Sequence, residues 1–446
     1  MPMLQFISKH ISLLCFILAM GACTSQAQTQ PELEAQPSQP STTANGLFEY
    51  RGLYTPTNTP EMQRTLHTNH PDYDWGVWGH NLHKVVKVSH EMYATVDGAK
   101  TDKQFCFSSE ALYKAIRAYI LDQFGKGTDT YSERISIMPM DNQLACTCRD
   151  CVAKGNTSGN ATPAVSYFVT RLAKEFPRQQ FFTSAYHTTK SAPQTALPAN
   201  VGVFVSSYPM PMRVDFSQTG GYHEFRTMVE AWTKVCGKVY VWDYARNYSD
   251  YLSPFPCLLA LQSRFKLYRD LGVRGIFVNG SGDDYSAFDD MQTQIMAKLM
   301  DDPDADVRNE VDAYFEKYYP KTHQLLTDYY WQLEQRAKTT NNLLPLYGSM
   351  KQMCASYLDA EEFLHFRAKL DAASKNTSGD ERKRLNALLT AWAYTQLEMY
   401  RTACLPMDKE QAAEMREILK GHGEIKGMTN IDEVGNTIDD YLKRWK

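Results

Sequence analysis

From residue 134 to residue 300 the chain alternates between two patterns of apolar positions. RISIMP (134–139), QFFTSAY (180–186), VGVFVSSY (201–208), KVYVWDY (238–244) and RGIFVNG (274–280) are short apolar runs rich in β-branched and aromatic residues, which read as strands. Around them, 165–176, 222–235, 257–272 and 285–300 repeat apolar residues at helical spacing. Strand and helix in alternation predict parallel strands joined by crossover helices. Upstream, LFEYRGL (47–53), DWGVWGH (74–80) and KQFCFSS (103–109) supply three more strand candidates beside those five. Eight is the strand number of a (β/α)8 TIM-like barrel, so an α/β barrel is expected over residues 46–302. After Asp302-Pro303 nearly every segment has helical period, with Leu326, Tyr329, Tyr330 and Leu333 on one face and Leu385, Leu388, Leu389 and Trp392 on another. An all-helical C-terminal domain is therefore expected over 303–446, and it holds no metal or nucleophile motif, so a supporting role is predicted.

The first residues follow neither pattern. ISLLCFILAMGA is an uninterrupted apolar run, too short to span a bilayer comfortably and suited to a signal peptide ending at residue 22. Met20-Gly21-Ala22-Cys23 resembles a bacterial lipobox, which predicts acylation of Cys23; ordinary secretion after Ala22 is the alternative. Residues 23–45 are Gln, Ser, Thr and Pro with almost no apolar content and read as a disordered tether. The expected location is the bacterial outer membrane, lipid-anchored on the periplasmic side, because no acidic run follows Cys23.

Composition narrows the ligand. The net charge is −4, which argues against nucleic acid, since that partner requires a basic patch. Aromatic residues make up 12% of the chain, with 27 Tyr, and suit uncharged rings such as sugars. A glycan is the expected partner and no cofactor is expected.

In a barrel the chemistry sits at the C-terminal ends of the strands. That rule selects Asp141 after the 134–139 strand, Tyr186 after 180–185, Tyr208 after 201–206, then Trp242, Asp243, Tyr244 and Asn247, and finally Asn279 and Asp283. His80 lies near an upstream strand end. Glycoside hydrolysis generally needs two carboxyl groups. Asp141 and Asp243 are the catalytic candidates, while His80, Tyr186, Tyr208, Trp242, Tyr244, Asn247, Asn279 and Asp283 are candidates for holding the sugar.

Cys146, Cys148 and Cys151 form C-x-C-x2-C in the loop after Asp141, and Cys106 ends another strand candidate. Two readings fit: disulfides or loosely packed thiols, and a structural metal held by the four sulfurs. In both, the cysteines clamp the loop and are not placed as nucleophiles.

The order of these blocks resembles a known family. An early WGxxxH region is followed by a strand into P-x-D, the C-x-C-x2-C loop, SAY, WDY, P-F-P, a G-x-F strand and YY-P at 318–320. This resembles the bacterial domain-of-unknown-function family 4838, common in exported proteins of Bacteroidetes, over roughly residues 46–320. Part of that group is similar to glycoside hydrolase family 163, and the resemblance implies endo-β-N-acetylglucosaminidase-type hydrolysis in a cleft containing Asp141, Tyr186, Trp242, Asp243 and Tyr244. Two positions depart from the family pattern. Val278 stands where many members have Glu after G-x-F, and Ser206, Ser207 and Tyr208 replace another Glu-bearing strand end. If those glutamates are catalytic, the implied alternative is a catalytically inactive, glycan-binding lipoprotein that retains the cleft.

Overall fold

The computed structural model describes residues 46–445, and the signal peptide, Cys23 and the tether lie outside the described residues. Within it the strands are β1 (Tyr50–Tyr54), β2 (Tyr93–Val96), β3 (Ala99–Phe105), β4 (Arg134–Ser136), β5 (Gln180–Ala185), β6 (Val201–Ser206), β7 (Lys238–Tyr244) and β8 (Gly275–Asn279). Six of them form one parallel sheet in the order β1-β8-β7-β6-β5-β4, so the first strand lies beside the last. Helices Thr162–Glu175, Gly220–Thr233, Leu258–Asp270 and Asp289–Asp301 fall where the helical periodicity placed them.

The upstream region differs from the eight-strand expectation. Of its three candidates, only 47–53 yields a strand of this sheet. The stretch 74–80 pairs at a single residue, Val77, which bridges to Ile135 of β4. Asn69 bridges in the same way to Gly52 of β1. Between Asn69 and Val77 the chain cannot stay extended, because Pro71 opens a short helix capped by His70. The third candidate, 103–109, contributes to β3, which pairs antiparallel with β2 in a separate hairpin. The described sheet is thus six regular strands with two single-residue pairings at its open side.

Side-chain parity organises the sheet. Alternate residues point to opposite faces. On the inner face Tyr50, Phe182, Phe204, Tyr240 and Phe277 join Trp75 and Met138 in one buried aromatic cluster. The rings need space that glycine provides: a Cβ at Gly202 would lie 2.2 Å from the Phe182 ring, and one at Gly275 would lie 2.7 Å from the Tyr240 ring. On the outer face Val203, Val205, Val239, Val241, Ile276 and Val278 enter a core shared with the helices. That core continues through Phe288 and Tyr330 to Trp392, so the helices after residue 303 pack on the sheet's own outer layer. The two amphipathic faces read from the sequence, 326–333 and 385–392, are buried in it.

Candidate active site

A pocket of about 170 Å³ opens at the C-terminal ends of the strands. Parity selects its lining from the inner face: Ser184 on β5, Phe204 and Ser206 on β6, Trp242 and Tyr244 on β7, and Asn279 on β8. Tyr186 and Tyr208 follow their strands, and His80 and Asp141 come from loops. Tyr347 and Glu433 complete the wall from the helical part of the chain.

The floor is aromatic. Trp242 stacks on Trp78 with centroids 5.1 Å apart and planes 16° from parallel, and it meets the edge of Phe277 at 4.6 Å. Tyr244 places its hydroxyl 3.1 Å from the Ser206 hydroxyl, and burial holds its phenol well above the usual range, so it stays protonated. Burial does the same for Tyr186. A fixed indole with neutral hydroxyls around it suits a sugar ring, which offers an apolar face and a rim of hydroxyl groups.

One wall is built around Asp141. Its Oδ1 lies 3.3 Å from Nε2 of His187, whose ring centroid is 3.7 Å from that of Tyr186. His187 sits in the left-handed region at φ 48°, a conformation costly for a non-glycine residue and common where a side chain must be aimed. Burial lowers the His187 pKa, with Asp141 opposing, so the neutral ring donates its Nε2 proton to the carboxylate. On the same side His80 Nδ1 is 2.5 Å from the Pro139 carbonyl. That oxygen only accepts, so Nδ1 carries a proton and donates it.

The opposite wall carries a second carboxyl group. Glu433 is exposed at the rim, yet partial burial raises its pKa, the Tyr347 hydroxyl pulls the other way, and Asp141 and Asp432 add to the rise. The loop after β7 holds this wall in place. Glu433 N donates to the Tyr248 carbonyl at 3.0 Å, and Tyr248 N donates to the Leu346 carbonyl at 2.7 Å. A groove of about 610 Å³ begins on the far side of Tyr208 and Tyr347, which line both spaces, and continues along Met210, Leu343 and Leu346.

Of the residues the sequence singled out, the structure brings His80, Asp141, Tyr186, Tyr208, Trp242, Tyr244 and Asn279 together. Three are elsewhere. Asp243 is fully buried on the outer face of β7, opposite in parity to Trp242 and Tyr244. Its carboxylate pairs with Arg264, accepts from Tyr268 Oη at 2.6 Å and from Ser207 Oγ at 2.7 Å, and does not line the pocket. Asn247 is buried as well and clamps the loop that carries Tyr347: it donates to the Gly348 carbonyl and accepts from Gly348 N, both at 2.9 Å. Asp283 lines a different cavity, of about 640 Å³, with Thr55, His70, Tyr285 and Arg384.

Sequence reasoning missed Glu433 and Tyr347, because both lie in the region expected only to support. Val278, where the family pattern suggested a glutamate, packs in the outer core. A carboxylate at that position would point away from this pocket, so its absence does not empty the site.

Cys106, Cys146, Cys148 and Cys151 gather behind the Asp141 loop with all four sulfurs within 4.8 Å of one another. Among the described residues every cysteine is a free thiol, so the disulfide reading of this cluster is not what the structure shows.

Solved structures similar to this chain include a GH138 enzyme targeting pectin rhamnogalacturonan II, at 10% identity and a TM-score of 0.34, covering 90% of this chain and 67% of that one. Bee venom hyaluronidase is similar at 11% identity and a TM-score of 0.31, covering 56% of this chain and 95% of that one. Both are distant likenesses. A comparison with curated protein sequences finds no match. The model of one family, Domain of unknown function (DUF4838), matches residues 24–330, more than half of the chain, and the chain belongs to that family.

Proposed function

We propose that this protein is a glycoside hydrolase acting on glycans, with Glu433 as the general acid and Asp141 as the second carboxylate. The observation that carries this reading is the meeting of those two carboxyl groups in one pocket floored by Trp242. Cleavage of a glycosidic bond needs a proton on the leaving oxygen and negative charge near the anomeric carbon. Partial burial raises the Glu433 pKa, the direction that favours a proton donor. Asp141 is hydrogen-bonded by His187, which orients its carboxylate. The pocket is smaller than the roughly 300 Å³ at the low end of ligand sites, which suits one sugar ring. The adjoining groove past Tyr208 and Tyr347 would take the continuation of the chain. Within this class we favour endo-β-N-acetylglucosaminidase-type cleavage, for which the sequence resemblance is the support. The fold we propose for the family core is a (β/α)8-like barrel over 46–302, with helices 303–446 lending one wall of the site.

The test is hydrolysis of a glycan panel by the purified full chain, read by mass spectrometry, with Glu433→Gln and Asp141→Asn alongside. The panel includes complex N-glycans and aryl β-N-acetylglucosaminides. Cleavage lost in both variants, with sugar binding retained, is the expected result. Binding without cleavage by the unaltered protein would instead establish a glycan-binding module. We also propose export and acylation at Cys23, supported by Met20-Gly21-Ala22-Cys23. Intact mass of the membrane-extracted protein should show the acyl chains, and a Cys23→Ala chain released in soluble form without them is the matching control. A wild-type chain whose mass shows no acyl group would refute the anchor.

A further inference from the structure

We propose that Cys106, Cys146, Cys148 and Cys151 bind one zinc ion in a closed tetrahedral site that staples the Asp141 loop to the β2–β3 hairpin. The sulfur spacing is the first argument. Zinc–thiolate bonds of about 2.3 Å at tetrahedral angles place the sulfurs about 3.8 Å apart. Cys106 Sγ lies 3.7 Å from Cys148 Sγ and 3.7 Å from Cys151 Sγ. A disulfide would instead bring one sulfur to about 2.05 Å and leave the other outside bonding range. One sulfur equidistant from two others, with a fourth inside the same 4.8 Å span, is the geometry of a cage.

The surroundings supply the second argument. Three of the four thiols are buried and Cys148 is half-buried. Thr95 N donates to Cys146 Sγ at 3.3 Å, the kind of backbone contact that stabilises a thiolate, and the Ser108 hydroxyl lies 3.1 Å from Cys151 Sγ. All four donors are sulfur, which leaves no open position for water and makes the site structural. Soft thiolates in a tetrahedral set select zinc over calcium or magnesium. Binding would release the protons still held by the thiols.

The topology gives the ion its task. Cys106 follows β3, Cys146 and Cys148 lie in the loop after β4, and Cys151 lies in the short helix Arg149–Ala153. Apart from the sulfurs, this loop is tied to the hairpin by Thr147 N donating to the Thr95 carbonyl at 2.8 Å and by Gln104, whose Nε2 donates to the Met140 carbonyl at 3.1 Å. Asp141 stands directly after Met140, so the staple positions a residue that lines the pocket.

Native mass spectrometry and metal analysis of the purified full chain test the proposal. One zinc per chain is expected, lost in Cys106→Ser and Cys148→Ser and kept in Cys354→Ser, which changes a cysteine outside the cluster. If the serine variants do not fold, cobalt exchanged into the unaltered chain should give thiolate-to-cobalt charge-transfer absorption with tetrahedral ligand-field bands. A chain without zinc whose mass shows these four cysteines oxidised in pairs would overturn the proposal. So would iron in place of zinc, or a cobalt spectrum without thiolate bands.

Discussion

Asp243→Asn separates a structural carboxylate from the one proposed to take part in catalysis. Asp243 and Arg264 are both completely buried, and the pair is completed by Tyr268, by Ser207 and by Tyr244 N at 2.8 Å. Asparagine keeps the shape but removes the charge, so Arg264 is left as an uncompensated cation between sheet and helix. Removing one partner of such a pair costs about 3–5 kcal/mol. Unfolding entropy of about 2.1 cal/mol/K per residue, over roughly 400 ordered residues, is about 0.84 kcal/mol/K. A loss of about 4 kcal/mol should then lower Tm by about 5 °C. Replacing both partners, with Asp243→Leu and Arg264→Met, removes the unpaired charge but should recover only part of that loss, because Tyr268, Ser207 and Tyr244 N then lose their acceptor. Scanning calorimetry of the two single variants and the double variant measures the coupling, and glycan turnover per folded molecule is read in parallel. Turnover should fall far less than in Asp141→Asn, whose exposed side chain should leave Tm nearly unchanged. An Asp243→Asn protein with unchanged Tm and abolished turnover would refute the reasoning and return Asp243 to the chemistry.

Other outcomes follow from the same geometry. Glu433→Gln should cut kcat by about 10²–10⁴-fold, the usual worth of a general acid. Because the protonated form acts and its pKa is raised, wild-type turnover should decline on the alkaline side, and this variant should lose that limb; an unchanged pH profile would exclude the role. Glu334 is buried where it caps Leu258 N at 2.8 Å and Leu259 N at 3.2 Å, and burial pushes its pKa from 4.5 up to about 7. A carboxyl whose folded pKa is raised contributes stability below its unfolded pKa and loses it as pH rises through the folded one, here between about 4.5 and 7. Glu334→Gln should flatten the wild-type fall in Tm across that window, and an equal slope in both proteins would refute this. Gly202→Ala would drive a Cβ to within 2.2 Å of the Phe182 ring and should cost about 1–3 kcal/mol by denaturant unfolding; a neutral result would mean the ring can move.

Strands and helices from 134 to 301 were readable because apolar period and length agree there, and β7 forms over the whole of KVYVWDY. The same string held the information that removes Asp243 from the pocket. With Tyr240 and Trp242 facing inward, a period of two places Asp243 outward with Val239 and Val241. Selecting residues by strand end alone ignored that parity. Residues 74–80 and 103–109 misled for another reason: aromatic and β-branched content marks an extended segment but not its partner, and β3 finds β2 in a hairpin outside the parallel sheet.

Glu433 is a different kind of omission. Its neighbours form a local turn in which Asp432 accepts from Asn436 N at 3.0 Å, and nothing about Asn430-Ile431-Asp432-Glu433 differs in pattern from an ordinary polar loop. What aims it at the pocket is long-range: its backbone N–H bonds to Tyr248, and Asn430 reaches Asp284 at 3.0 Å. Both contacts lie on loops that follow strands of the parallel sheet, more than 140 residues away in sequence. A strand-end rule finds residues whose position is set by the sheet, and it is blind to a wall supplied by a segment folded back over the mouth. The outer face of β8, where Val278 lies, is committed to the helix-packed core, and the free side of the pocket is where another chain segment can add a carboxyl group without displacing any packed residue.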